Sequence, residues 1–159
     1  MFLAFLSMLG LYAKATTPEI KEGSFNFVLT YEDDGKVDTI EGTYVCKFEK
    51  GEYYLDGISR QWTGYIEGHE DSTSYALKTT DEGVIKVELD ICSEFFMADP
   101  HYKVNANTDD PKPEPYLYII TSDSTVEGPA NEIFYSLYEG YDVKIISFVY
   151  DYPIENTYK

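Results

Sequence analysis

The segment from Gly23 to Phe48 constrains the fold more than any other part of the chain. Phe25, Phe27, Leu29 and Tyr31 recur at every second position, Asp34-Gly35 follows, and a second run leads on to Phe48. A period of two is that of a strand with one buried face, and Asp-Gly between two such runs is the signature of a tight hairpin. With Asp33 opposite Lys36, Phe25 falls opposite Tyr44, Phe27 opposite Gly42 and Leu29 opposite Ile40. One register therefore gathers the apolar members of both strands on one face, which Cys46 and Phe48 extend.

The same reasoning predicts a second hairpin over Tyr75 to Ile91. Asp81-Glu82-Gly83 is its three-residue loop, flanked by Thr80 and Val84, with the glycine in the left-handed position. Leu77 then faces Val87, Tyr75 faces Leu89, and Lys78, Lys86 and Glu88 lie on the other side. Arg60 to Glu67 reads as a further strand with Trp62 and Ile66 on one face, and the residues from Gly68 to Ser72 as its polar turn.

Beyond Cys92 the periodicity fails, and the proline-rich stretch Asn105 to Pro115 reads as a long loop. A strand at Tyr116 to Thr121, a short helix at about Pro129 to Glu139 and a last strand at Asp142 to Tyr150 follow. The helix is read from an early proline, from Ile133 and Leu137 four residues apart, and from Gly140 at the position of a left-handed cap. The expectation is a mainly β fold: an antiparallel sheet of about seven strands curled into a sandwich or open barrel, with one short C-terminal helix over an opening.

The ends and the charge bear on location and partners. Met1 to Ala13 is almost wholly apolar and uncharged, and Ala13-Lys14-Ala15 has the small-x-small form of a signal-peptidase site. Residues 1–15 therefore read as a signal or as the end of a membrane anchor, too short by themselves to span a bilayer. Residues 16–159 read as a single extracytoplasmic domain. A net charge of −17 repels nucleic acid and anionic lipid, and confines membrane association to the N-terminal segment. With 43% hydrophobic and 16% aromatic residues, the chain has the apolar surface that a folded domain needs.

No serine-hydrolase elbow, zinc-protease motif, phosphate loop, CxxC or EF-hand pattern occurs in the sequence. No cofactor or metal site is expected, because Cys46 and Cys92 have no ligand spacing and calcium needs more oxygens than Asp109-Asp110 offers. The two cysteines lie on separate segments; a disulfide between them and a pair of buried thiols both stay open.

Candidate binding residues fall in two places. Arg60, the sole arginine, and Trp62, the sole tryptophan, share a strand face and form either a stacking platform or a core residue with a snorkelling neighbour. Glu94, Asp99, His101 and Tyr102 flank Phe95-Phe96-Met97 just before the long loop, either as a site or around an apolar anchor. His69 and His101 stand beside carboxylates, an arrangement open to acid–base work but more often a solvated surface pair.

The order of segments, Gly23-Ser24-Phe25-Asn26-Phe27, Arg60-Gln61-Trp62, Glu94-Phe95-Phe96-Met97, then Lys144-Ile145-Ile146-Ser147 and Pro153-Ile154-Glu155-Asn156, resembles small exported or membrane-anchored proteins of uncharacterised function in Gram-positive bacteria. The resemblance implies an N-terminal anchor and an outward-facing domain, and carries no activity. The expected function is a non-enzymatic binding domain for a protein or peptide at the cell surface. Carbohydrate binding is the alternative, and a carboxylate-dependent hydrolase the third.

Overall fold

The computed structural model describes residues 17–18, 20–55, 57–69, 72–89, 97, 113–138 and 140–151. Among these residues, eight strands form two four-stranded antiparallel sheets that stack without closing into a barrel. In sheet A, β1 (Glu22–Asp33), β2 (Lys36–Tyr54), β3 (Gly57–Ile66) and β8 (Val143–Tyr150) lie in the order β3-β2-β1-β8. Sheet B is a meander of β4 (Ser74–Thr80), β5 (Gly83–Glu88), β6 (Tyr116–Thr121) and β7 (Thr125–Pro129), side by side in chain order. Among the described residues one short helix, α1 (Glu132–Leu137), joins the two sheets between β7 and β8.

The first hairpin has the register that its alternation predicts. Phe25 pairs with Tyr44, Phe27 with Gly42, Leu29 with Ile40 and Asp33 with Lys36. Asp34 and Gly35 both take positive φ, 50° and 75°, as a two-residue turn of this hand requires. Phe25, Phe27, Leu29 and Tyr31 are buried and meet Leu77, Ile85, Val87, Leu117 and Ile119 of sheet B. That layer is the core, and each such side chain removed from water contributes about 1.5–3 kcal/mol. Phe27 and Tyr75 cross it edge to face, with ring centres 6.2 Å apart.

The second hairpin departs from expectation. Thr80 pairs with Gly83, so the connection is the two residues Asp81-Glu82, and a bulge at Leu77 places Tyr75 opposite Val87 and Lys78 opposite Ile85. Gly83 does not have a positive φ. Its glycine serves a close approach instead, because a Cβ there would run into the main chain of Ile120 on β6. The two-residue loop moves the pairing by one position, and the bulge returns Leu77 to the buried side.

The helix is shorter than predicted. Pro129 ends β7, a strand that the sequence reading did not identify, and Asn131 caps α1 by accepting from the N–H groups of Ile133 and Phe134, each at 3.1 Å. Phe134 is the residue that α1 buries, while Ile133 and Leu137 are about 70% exposed. The chain leaves α1 at Tyr138, so Gly140 is not its cap. Phe134 lies directly over Gly128, where a Cβ would collide with its ring. β2 and β3 also run further than expected, with a bulge at Glu49. Most of the expected long loop falls outside the described residues.

Candidate functional site

Arg60 and Trp62 share a face of β3, as their spacing requires, and both turn inward. Arg60 is 6% exposed, and Trp62 packs edge-on against Phe48 at 5.6 Å, with its indole N–H buried and unpaired among the described residues. Cys46 is buried in the core. Glu94, Asp99, His101, Tyr102 and Cys92 lie outside the described residues, as do residues 1–15. On sheet B, Tyr116 and Tyr118 stand together, but their rings tilt at 53° to one another. Tyr118 donates to Glu88, which pushes its phenol up to about 12. That pair is not a flat stacking row.

The more distinctive feature is β8, whose sequence VKIISFVY carries one charge and no proline. It pairs with β1 from Phe27–Tyr150 to Asp33–Val143, and among the described residues no strand lies on its other side. Sheet edges present main-chain groups to incoming strands, and proteins blunt them with prolines, charges or short length. β7 is such an edge, five residues long and ended by Pro129. β8 is longer and lacks both devices.

Two faces of β8 divide its work. Val143, Ile145, Phe148 and Tyr150 pack on the core. Ile146 and Val149 are 51% and 62% exposed, and Val149 stands opposite Val28 on β1, so the outer face is apolar as well. The Asp151 N–H donates to the Asn26 carbonyl at 2.9 Å. Alternation back from that bond turns the main-chain groups of Phe148 away from β1.

The head of β8 is built differently. The Ile145 N–H, which also points away from β1, donates to the Tyr135 hydroxyl of α1 at 2.9 Å. Burial pushes that phenol up, so it remains a neutral acceptor. Lys144 places its ammonium over the Tyr135 ring at 5.8 Å. Tyr135, Val143 and Lys144 border an open recess of about 500 Å³, with Glu32, Asp34, Tyr141 and Asp142 on its other walls. Behind Tyr141 and Asp142, a smaller cavity of about 120 Å³ reaches between Lys78, Glu82, Ile85 and Ile119.

Lys78 organises the carboxylates there. Its Nζ lies 2.7 Å from Asp33 Oδ1 and 2.8 Å from Asp34 Oδ2, and these hydrogen bonds raise its pKa. The same ammonium holds the Asp34 carboxyl below the usual range, helped by a hydrogen bond with Asp142. Among the described residues no group of three or more His, Cys, Asp or Glu side chains is arranged to hold a metal ion. Among the same residues, no helix is long and apolar enough to cross a membrane.

No protein-family model, curated protein or solved structure matches the chain.

The sequence places Lys78 on the polar side of the second hairpin and Asp142 at the start of the last strand, but singles out neither of them, nor Tyr141 or β8, as a candidate for binding. The available signal was a run of eight residues with one charge, between acidic flanks at Asp142 and Asp151.

Proposed function

We propose that the chain is a non-enzymatic, extracytoplasmic binding domain whose edge strand β8 takes up an extended segment of a polypeptide partner by strand addition. The observation that carries this reading is the sparsely charged, proline-free edge of β8, with Ile146 and Val149 exposed beside it. In strand addition the main-chain ladder supplies affinity and alternate side chains supply selectivity, so a sparsely charged strand with no described strand on its outer side suits the task. The apolar, uncharged run from Met1 to Ala13 supports a location outside the cytoplasm. The charge of −17 favours cationic over anionic partners.

The test is a display selection of random decapeptides on the immobilised chain, followed by binding of the enriched peptides to the double variant Ile146→Lys, Val149→Lys. Both positions are exposed, so the variant should melt within a few degrees of the parent, since surface substitutions usually stay within about 0.5 kcal/mol. The expected result is enrichment of extended, alternating sequences that the variant no longer binds. Enriched peptides that bind the variant as well as the parent sink the proposal.

A further inference from the structure

We infer that the recess at the head of β8 anchors a lysine or arginine side chain of the added strand, with Asp142 as its carboxylate partner and Tyr141 as its aromatic wall. The inference rests on the strand-addition reading, because Val143 and Lys144 belong both to the recess and to the edge that the partner would follow.

Charge is the first argument. Glu32, Asp34 and Asp142 line the recess against one cation, Lys144, so its lining is net negative. The Asp34 N–H donates to the Asp142 carbonyl at 3.1 Å, which holds these two acidic residues side by side on the wall of the recess. Lys78 already binds Asp33 and Asp34 from the inner side, which leaves the outer side to Asp142 and Glu32.

Shape and chemistry agree. The Tyr135 ring already carries the Lys144 ammonium on its face at 5.8 Å. Tyr141, 41% exposed, offers a second ring to an alkyl stem or a guanidinium. A basic side chain has both the apolar stem and the terminal charge that two tyrosines and a carboxylate complement. Because this recess continues into the edge of β8, the occupant is a residue of a bound peptide and not a free amine.

The probe is a fluorescein-labelled decapeptide of alternating valine and lysine, followed by anisotropy at 150 mM salt (~8 Å screening length, so distant charges contribute little). Three comparators accompany it: the same peptide with its lysines acetylated, the same peptide with alternate valines N-methylated, and N-acetyl-lysine methylamide as competitor. The protein variants are Asp142→Asn, Tyr141→Ala and, as a remote exposed carboxylate on sheet B, Glu127→Gln. Loss of one charge-assisted contact corresponds to about tenfold in affinity.

The expected result is a loss of about tenfold for Asp142→Asn and for acetylation, a smaller loss for Tyr141→Ala, and at most about twofold for Glu127→Gln. N-methylation should abolish binding, and the single-residue amide should not compete. Equal losses for Asp142→Asn and Glu127→Gln mean bulk charge alone and overturn the anchor. Binding that survives acetylation but not N-methylation also overturns the anchor and leaves strand addition standing. Binding indifferent to N-methylation, competition by the free amide, or no binding by any peptide overturns strand addition and the anchor with it.

Discussion

Lys78 Nζ lies 2.7 Å from Asp33 Oδ1, and that contact ties β4 of sheet B to the end of β1 in sheet A, 45 residues away in the chain. Asp34 closes the bridge from the hairpin turn at 2.8 Å. The pH dependence follows from the signs. Asp34 is depressed, so its share of stability is full above the ordinary aspartate value of about 3.9 and is lost as pH falls through the lower folded-state value. Lys78 is raised, so its share is full below the ordinary lysine value of about 10.4 and is lost as pH rises through the folded-state value. Lys78→Met should therefore lower the melting temperature at pH 7, and the gap between variant and parent should shrink at both pH extremes. A gap that stays constant from pH 3 to pH 11 would show that the bridge contributes nothing.

Asn131 accepts from two N–H groups at the start of α1, and those donors have no partner within the helix. Asn131→Ala should cost about 1 kcal/mol, while Asn131→Gly should cost only a few tenths. Chemical denaturation of the two variants checks the difference, and equal losses would mean that the cap is decorative.

Phe134 is the apolar anchor of α1 and sits on Gly128 of β7. Phe134→Ala should cost about 3–5 kcal/mol, and Gly128→Ala about 1–3 kcal/mol by pushing the ring out. Because the two changes act on one contact, the double variant should lose less than the sum of the singles in a thermodynamic cycle.

Trp62 buries an indole N–H without a partner among the described residues, which costs about 1–3 kcal/mol. Trp62→Phe keeps most of the packing against Phe48 and removes that donor, so it should stay within about 1 kcal/mol of the parent. Trp62→Ala should lose about 2 kcal/mol or more through the cavity it leaves. Urea unfolding of both variants distinguishes this packing role from a ligand-stacking one, in which stability would be unchanged in each.

Local pattern made the first hairpin legible to the residue, since alternation and Asp34-Gly35 allow a single register that buries Phe25, Phe27 and Leu29 together. The second hairpin was legible only in outline. Gly83 invites a left-handed loop position, whereas its real constraint is the main chain of Ile120, a partner far along the sequence. The helix misled for a related reason. Ile133 and Leu137 have core spacing, but the surface that α1 covers belongs to β7, and Phe134 is the residue that reaches it. The proposed binding edge could not be read at all, because whether VKIISFVY is a central or an edge strand depends on sheet order, and no local pattern encodes that.

The most direct test of the account is amide hydrogen exchange along β8, read residue by residue by NMR, with and without the valine–lysine decapeptide. In the free chain, the Val149 amide should be protected by β1 and the Phe148 amide should exchange far faster, because alternation points it away from β1. On addition of the peptide, Phe148 should gain at least about tenfold protection while Val149 changes little. A Phe148 amide that exchanges at the same rate with the peptide bound would contradict strand addition at β8.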